Sequence, residues 1–197
     1  MKEFPHDWCE FGEHRVFMLM ALARKGENDL TNNNEVVFQE IIKDEDDINR
    51  KLKKLRTLAE GYGDYTFRLY MQVNARNTLS TYFAFRNRMN SWIEDKINGD
   101  IHSDRKMKKI DNYWVSELMK SENADDQYFI FDLDDVNREE SDLLQQDILD
   151  MDVRIHHSVE TRSGYHIITD PFNYTELESE IEYELLTDGM VYLGCFE

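Results

Sequence analysis

Chemistry-bearing residues concentrate after residue 127. Asp132 and Asp134 flank Leu133 at the end of the apolar run YFIFDLD, residues 128–134, and Asp135 follows. On a strand, positions i and i+2 point to one face, so these two carboxylates can jointly hold a hard divalent cation. A second group, Arg162, Ser163, Gly164, Tyr165 and His166, reads as a tight turn entering a strand. Small residues there leave backbone N–H groups open to a phosphate. Arg162 could grip that phosphate bidentately, and a ring N–H of His166 could bind one of its oxygens. The same residues also suit an ordinary hairpin with a half-buried histidine. Asp188, before Gly189, is either a third carboxylate on that face or a turn residue.

These groups converge only if the elements carrying them share a sheet. The spans 128–134, 153–159, 165–169 and 190–196 read as strands, with helices over 139–149 and 174–186. That order is βαββαβ, the split βαβ arrangement of ferredoxin-like and RNA-recognition-like (RRM-like) folds. The fold expected is α+β, with this unit over 128–197 and a helical N-terminal region over 1–63. A strand–helix extension over 64–127 would pack on the sheet, giving one compact domain. Within 1–63, residues 13–24 read as a helix with Met18, Leu19, Leu22 and Ala23 inward. A loop over 25–34 follows, with Thr31 and Asn32–Asn34 as a cap. Residues 36–58 read as a long or broken helix, ended by Gly61 and Gly63. Residues 67–73 alternate as a strand, and 77–97 form a helix with Leu79, Tyr82, Phe83, Phe85, Met89, Trp92 and Ile93 on a wide apolar face.

The two motifs resemble the first two motifs of the archaeo-eukaryotic primase superfamily, which includes primase-polymerases. The hydrophobic-Asp-hydrophobic-Asp run 131–134 is similar to the first, and the Ser-Gly-Tyr-His run 163–166 to the second. That resemblance implies a metal-dependent nucleotidyltransferase, or a reduced nucleotide-binding relative, with an RNA-recognition-like catalytic half. It implies that Asp132, Asp134 and His166 are catalytic, and that Arg162, Ser163, Gly164 and His166 meet the triphosphate. Asp132, Asp134 and Asp188 would hold Mg²⁺ or Mn²⁺. The chemistry implied is in-line attack of a hydroxyl on the α-phosphate, with two cations stabilising the attacking and leaving oxygens. The chain also resembles small proteins of phages and prokaryotic mobile elements with an Asp-Pro-Phe-Asn segment, here 170–173.

Composition narrows the classes. With 41 acidic and 23 basic residues the net charge is −18, so the chain offers no broad basic surface for duplex DNA. Residues 128–197 hold 18 acidic and 3 basic side chains, whereas 64–120 holds 10 basic and 7 acidic. Arg76, Arg86, Arg88, Lys106, Lys108 and Lys109 interleave with aromatics there. Such a strip can bind single-stranded nucleic acid, or its aromatics can be core and its cations a solvated face. The acidic third, including Glu176, Glu178, Glu180, Glu182 and Glu184, is either a solvated helix face or a surface for a basic protein partner. The adjacent pair His156 and His157 suits a His-directed endonuclease poorly, because neighbours on a strand face opposite ways. The longest apolar run, 16–23, is eight residues, far below the ~20 needed to span a bilayer. With no signal segment and only two cysteines, Cys9 and Cys195, the expectation is a cytoplasmic protein without membrane association.

Overall fold

The run over 16–23 is apolar at every position, so a chain carrying it needs cover on two sides. A central strand in a covered sheet provides that. The computed structural model describes residues 8–30 and 35–196. The proposed cap at 31–34 lies outside the described residues. The order is β1 (Arg15–Ala23), β2 (Val36–Ile42), α1 (Glu45–Tyr62), β3 (Phe67–Gln72), β4 (Arg76–Asn77), α2 (Thr78–Ile97), α3 (Ser103–Met107), α4 (Ile110–Leu118), β5 (Phe129–Asp134), α5 (Arg138–Asp150), β6 (Ile155–Glu160), β7 (Gly164–Thr169), β8 (Glu184–Leu186) and β9 (Met190–Phe196).

Two antiparallel sheets result. The first runs β2-β1-β3-β9, with β4 on β1, and the second runs β6-β7-β5-β8. The protein is therefore mixed α+β. The first sheet draws strands from all three segments separated above, so those boundaries cross its hydrogen-bond ladders.

Three expectations are corrected. Residues 13–24 form strand β1 rather than a helix, with Phe17, Leu19 and Ala21 fully buried. Residues 36–58 divide into strand β2 and helix α1, because Asp44 caps the helix by accepting from Asp47 N–H at 2.8 Å. The N-terminal region is thus not purely helical. Residues 174–186 make only a single 3₁₀ turn, Tyr174–Glu176, and then extend into β8. Glu176, Glu178, Glu180, Glu182 and Glu184 are exposed in alternation with half-buried Leu177, Ser179, Ile181 and Tyr183. That period of two is an extended chain, not one face of a helix.

Strands β3, β5, β6, β7 and β9 and helices α2 and α5 form close to the expected spans, whereas β4, α3 and α4 were not anticipated. Helix α1 stops at Tyr62, and Gly63 follows at φ 138°, a conformation that glycine adopts without strain. Asn77 caps α2 by accepting from Leu79 and Ser80 N–H, both at 3.0 Å. Its apolar face is narrower than expected. Phe85 and Trp92 are buried, but Leu79, Tyr82, Phe83 and Ile93 are exposed. Asn137 and Glu140 close a capping box on α5.

Alternation along β5 joins the two layers. Phe131 and Leu133 pack with Leu144 and Ile148 of α5 and with Ile167. Ile130 faces the other way and, with Ile168, joins the core built by Phe17, Leu19, Met71 and α1. Asp132 and Asp134 share the side of Ile130, where the second sheet meets the first. Strand β9, expected to close the sheet of β5, instead pairs with β3 and forms the edge of the first sheet.

Candidate functional site

The polar groups line the seam between β9 and β3 on one side and β7 and β5 on the other. Register places Asp132 opposite His166 and Asp134 opposite Gly164. His166 is 7% exposed, and its Nε2 lies 3.2 Å from Asp132 Oδ1. Tyr192 on β9 donates its backbone N–H to His166 Nδ1 at 3.1 Å. An acceptor role for Nδ1 puts the ring proton on Nε2, aimed at Asp132. The imidazole thus links the two sheets and presents one N–H to the carboxylates.

Asp134 is exposed and accepts from Ser163 Oγ at 2.9 Å. The turn carrying Ser163 lies tight against β5, because Asp135 N–H donates to Ser163 O at 2.6 Å. A Cβ at Gly164 would stand 1.8 Å from Leu133 O, so only glycine admits this approach. Glu184 of β8 sits across from Asp132 and is exposed. Cross-strand partners on one face have Cβ atoms about 5 Å apart, so Glu184 adds negative potential beside Asp132.

Asp188 is not part of this group. Pairing of β8 with β5 runs from Glu184 opposite Asp132 to Leu186 opposite Ile130, so Asp188 lies beyond it, toward Tyr128. Arg76 Nη2 holds both its oxygens, at 2.9 and 2.7 Å. Asn74 beside it binds Tyr128 on both sides, accepting from its N–H at 2.7 Å and donating to its O at 3.3 Å. The Arg76–Asp188 pair therefore serves the junction of the sheets, and Asp188 is withdrawn as a cation ligand. Among the described residues no group of three or more His, Cys, Asp or Glu is placed to hold a metal ion.

Arg162 sits beside Ser163 as expected, but its Nη1 is paired with Glu27 Oε1 at 2.7 Å. Arg68 takes the same carboxylate, with Nε 3.0 Å from Oε2 and Nη2 bonded to Oε1. The Arg68 hydrogen bonds, reinforced by Arg162, hold the Glu27 carboxyl below the usual glutamate range, against the effect of burial. Glu27 in turn raises the already high value of Arg68. No sequence motif singles out Glu27, Arg68 or Tyr192, and Glu184 stands out there only as one of an acidic run. Arg68 had a signal, as a charge at a polar position of the alternating strand 67–73. A backbone donor such as Tyr192 N–H has none.

The basic strip does not assemble. Arg76 is 1% exposed and committed to Asp188. Arg88 pairs with Glu117 at 3.0 Å and lies over the Trp92 and Tyr113 rings. Lys106 bridges to Asp95 at 3.2 Å. Arg86, Lys108 and Lys109 are exposed, and Arg86 lies over the exposed Phe83 ring at 5.3 Å. His156 is turned inward to Asp170 at 2.7 Å, while His157 packs near the Trp8 ring at 5.2 Å, so the two histidines do not act as a pair. Among the described residues no helix is long and apolar enough to cross a membrane. No protein-family model matches the chain, and no curated protein or solved structure matches it significantly.

Proposed function

We propose that the seam binds the phosphates of a nucleoside triphosphate with a divalent cation, and that the chain is a primase-like nucleotidyltransferase or a reduced nucleotide-binding relative. One observation carries this: Asp132 and His166, 34 positions apart in the chain, stand opposite one another in register and 3.2 Å apart, with Asp134, Ser163 and Arg162 on the same flank. The second sheet lends support. Its helix-linked strands β5 and β6 are separated by β7, as in a split βαβ unit, although the second helix is absent.

The donor set fits Mg²⁺ or Mn²⁺. Asp132 and Asp134 are hard oxygen ligands on one strand face, and Mg²⁺ characteristically takes one or two carboxylates and completes its shell with water and phosphate. When bound, the cation would supply charge neutralisation at the reacting phosphate. His166 does the rest with its one N–H. Its Nε2 stands 3.2 Å from Asp132 Oδ1, and a phosphate oxygen would accept a hydrogen bond from it once the carboxylate is engaged elsewhere. Tyr192 N–H keeps the ring oriented throughout. Ser163 holds Asp134 toward the same space.

Thermal unfolding with Mn²⁺ and each nucleoside triphosphate tests this. A nucleotide-dependent rise in Tm that Asp132→Asn and His166→Ala abolish is expected. No shift with any nucleotide, or a shift indifferent to both substitutions, refutes it.

The five outward glutamates between 176 and 184 favour a second assignment, an acidic surface for a basic protein partner. In that case reversing Glu178, Glu180 and Glu182 to Lys abolishes biological activity while Asp132→Asn leaves it intact.

A further inference from the structure

Glu27 stands on the turn after β1, and its carboxylate is the meeting point of two guanidinium groups from different sheets. Arg68 on β3 grips it as a fork, and Arg162 in the β6–β7 turn closes on Oε1. Two guanidinium cations share the one Glu27 carboxylate. The Arg68 and Glu27 side chains are 17% and 11% exposed, whereas that of Arg162 is 66% exposed. The cluster is therefore closed at the β3 end and open to solvent at the turn. Planar guanidinium forks donate to carboxylate and phosphate oxygens with the same geometry. Ser163 and Asp134 adjoin the open end.

The turn does not depend on Glu27 for its shape. Asn28 latches it to the segment before β3: its Oδ1 accepts from Thr66 N–H at 2.8 Å, and its Nδ2 donates to Thr66 O at 3.1 Å. The Glu27 side chain can leave the arginines by rotating about its own bonds while the turn stays latched.

We propose that Arg68 and Arg162 form a phosphate-binding site, and that Glu27 is an internal anion that occupies it until a ligand phosphate displaces it. This rests on the nucleotide assignment for the class of ligand, and it adds both a second arginine and a built-in competitor. An incoming phosphate meets the exposed Arg162 first and then takes the Arg68 fork as Glu27 swings out. The competitor sets a threshold: only a ligand with several phosphate oxygens in reach outbids a carboxylate that is already in place.

Calorimetric titration of inorganic tripolyphosphate, in EDTA to remove any cation, reads this directly. Glu27→Ala is expected to bind at least about ten-fold more tightly than the unchanged protein, one charge-assisted contact in equilibrium terms. Glu27→Gln, neutral but nearly isosteric, falls between them and guards against a folding artefact in the alanine variant. The gain disappears in Glu27→Ala/Arg68→Ala and in Glu27→Ala/Arg162→Ala. The proposal is overturned if neither Glu27 variant binds more tightly, or if the gain survives in either double variant. A gain in the Glu27 variants without any Mn²⁺-nucleotide shift keeps the phosphate site and sinks the nucleotide assignment. The reverse pattern sinks the competitor alone.

Discussion

Replacing Arg76 by Met tests whether Asp188 is a structural partner or a cation ligand. Arg76 is 1% exposed and Asp188 retains 19% of its side-chain surface. Once the guanidinium is gone, Asp188 keeps only the Asn74 and Gln72 amides, both at 3.5 Å. Breaking a buried ion pair from one side costs about 3–5 kcal/mol, and the partial exposure of Asp188 places this case near about 3 kcal/mol. For a chain of this length that lowers Tm by roughly 6–12 °C. Asp188→Asn costs a comparable amount, because it removes the neutralising charge from a buried cation whose Nε and Nη1 have no protein partner among the described residues, leaving Nη2 the Met119 carbonyl at 3.3 Å and one amide oxygen. The double variant Arg76→Met/Asp188→Asn loses less than the sum of the singles, since the coupling between contacting residues is counted once. Thermal and urea unfolding in EDTA measure all three. If Asp188→Asn melts with the unchanged protein in EDTA and differs from it only when Mn²⁺ is added, the structural role is refuted and Asp188 returns as a ligand.

Three further outcomes follow from single contacts. Gly164→Ala drives a methyl group to within 1.8 Å of Leu133 O, so it should lose roughly 2–4 kcal/mol in urea unfolding; an unchanged midpoint would show that the turn relaxes freely. Asn74→Ala strips Tyr128 N–H and the Tyr128 and Thr187 carbonyls of their partner where the two sheets join, costing about 1–3 kcal/mol, and Asn74→Asp should not rescue it because the two Nδ2 donations are lost. The Glu27 carboxyl is depressed chiefly by Arg68, so its ionised form adds stability above the ordinary glutamate value of about 4.3 and loses it as the pH falls through the depressed value. The stability difference between the unchanged protein and Glu27→Gln is therefore flat at neutral pH and shrinks in acid; a difference independent of pH down to the acid limb contradicts this.

Much of the second sheet was legible along the chain. Phe131 and Leu133 alternate with Asp132 and Asp134, and that alternation alone assigns the carboxylates to one face. Asn137 and Glu140 announce the start of α5, and Gly164 marks the tight return into β7. Other spans misled for identifiable reasons. The run over 16–23 has no polar position to reveal a period, so helix and strand fit it equally, and only cover on both faces decides. Between 176 and 184 glutamate recurs at every second residue, a strand-like period that the helix propensities of Glu and Leu obscured. There Leu177, Ile181 and Tyr183 pack on the core around Phe131, which overrides local preference.

By itself the sequence determined which residue types could do chemistry, and the local period that turns Asp132 and Asp134 the same way. It also determined that charge is too negative for a duplex-wrapping surface. Tertiary structure decided the pairings. It withdrew Asp188 to Arg76, set Tyr192 N–H against His166, and gave Glu27 to arginines from two sheets. The reason is range: side-chain period is a property of neighbours along the chain, whereas an ion pair 41 residues apart needs β1 paired with β3, and one 135 residues apart needs the two sheets brought together.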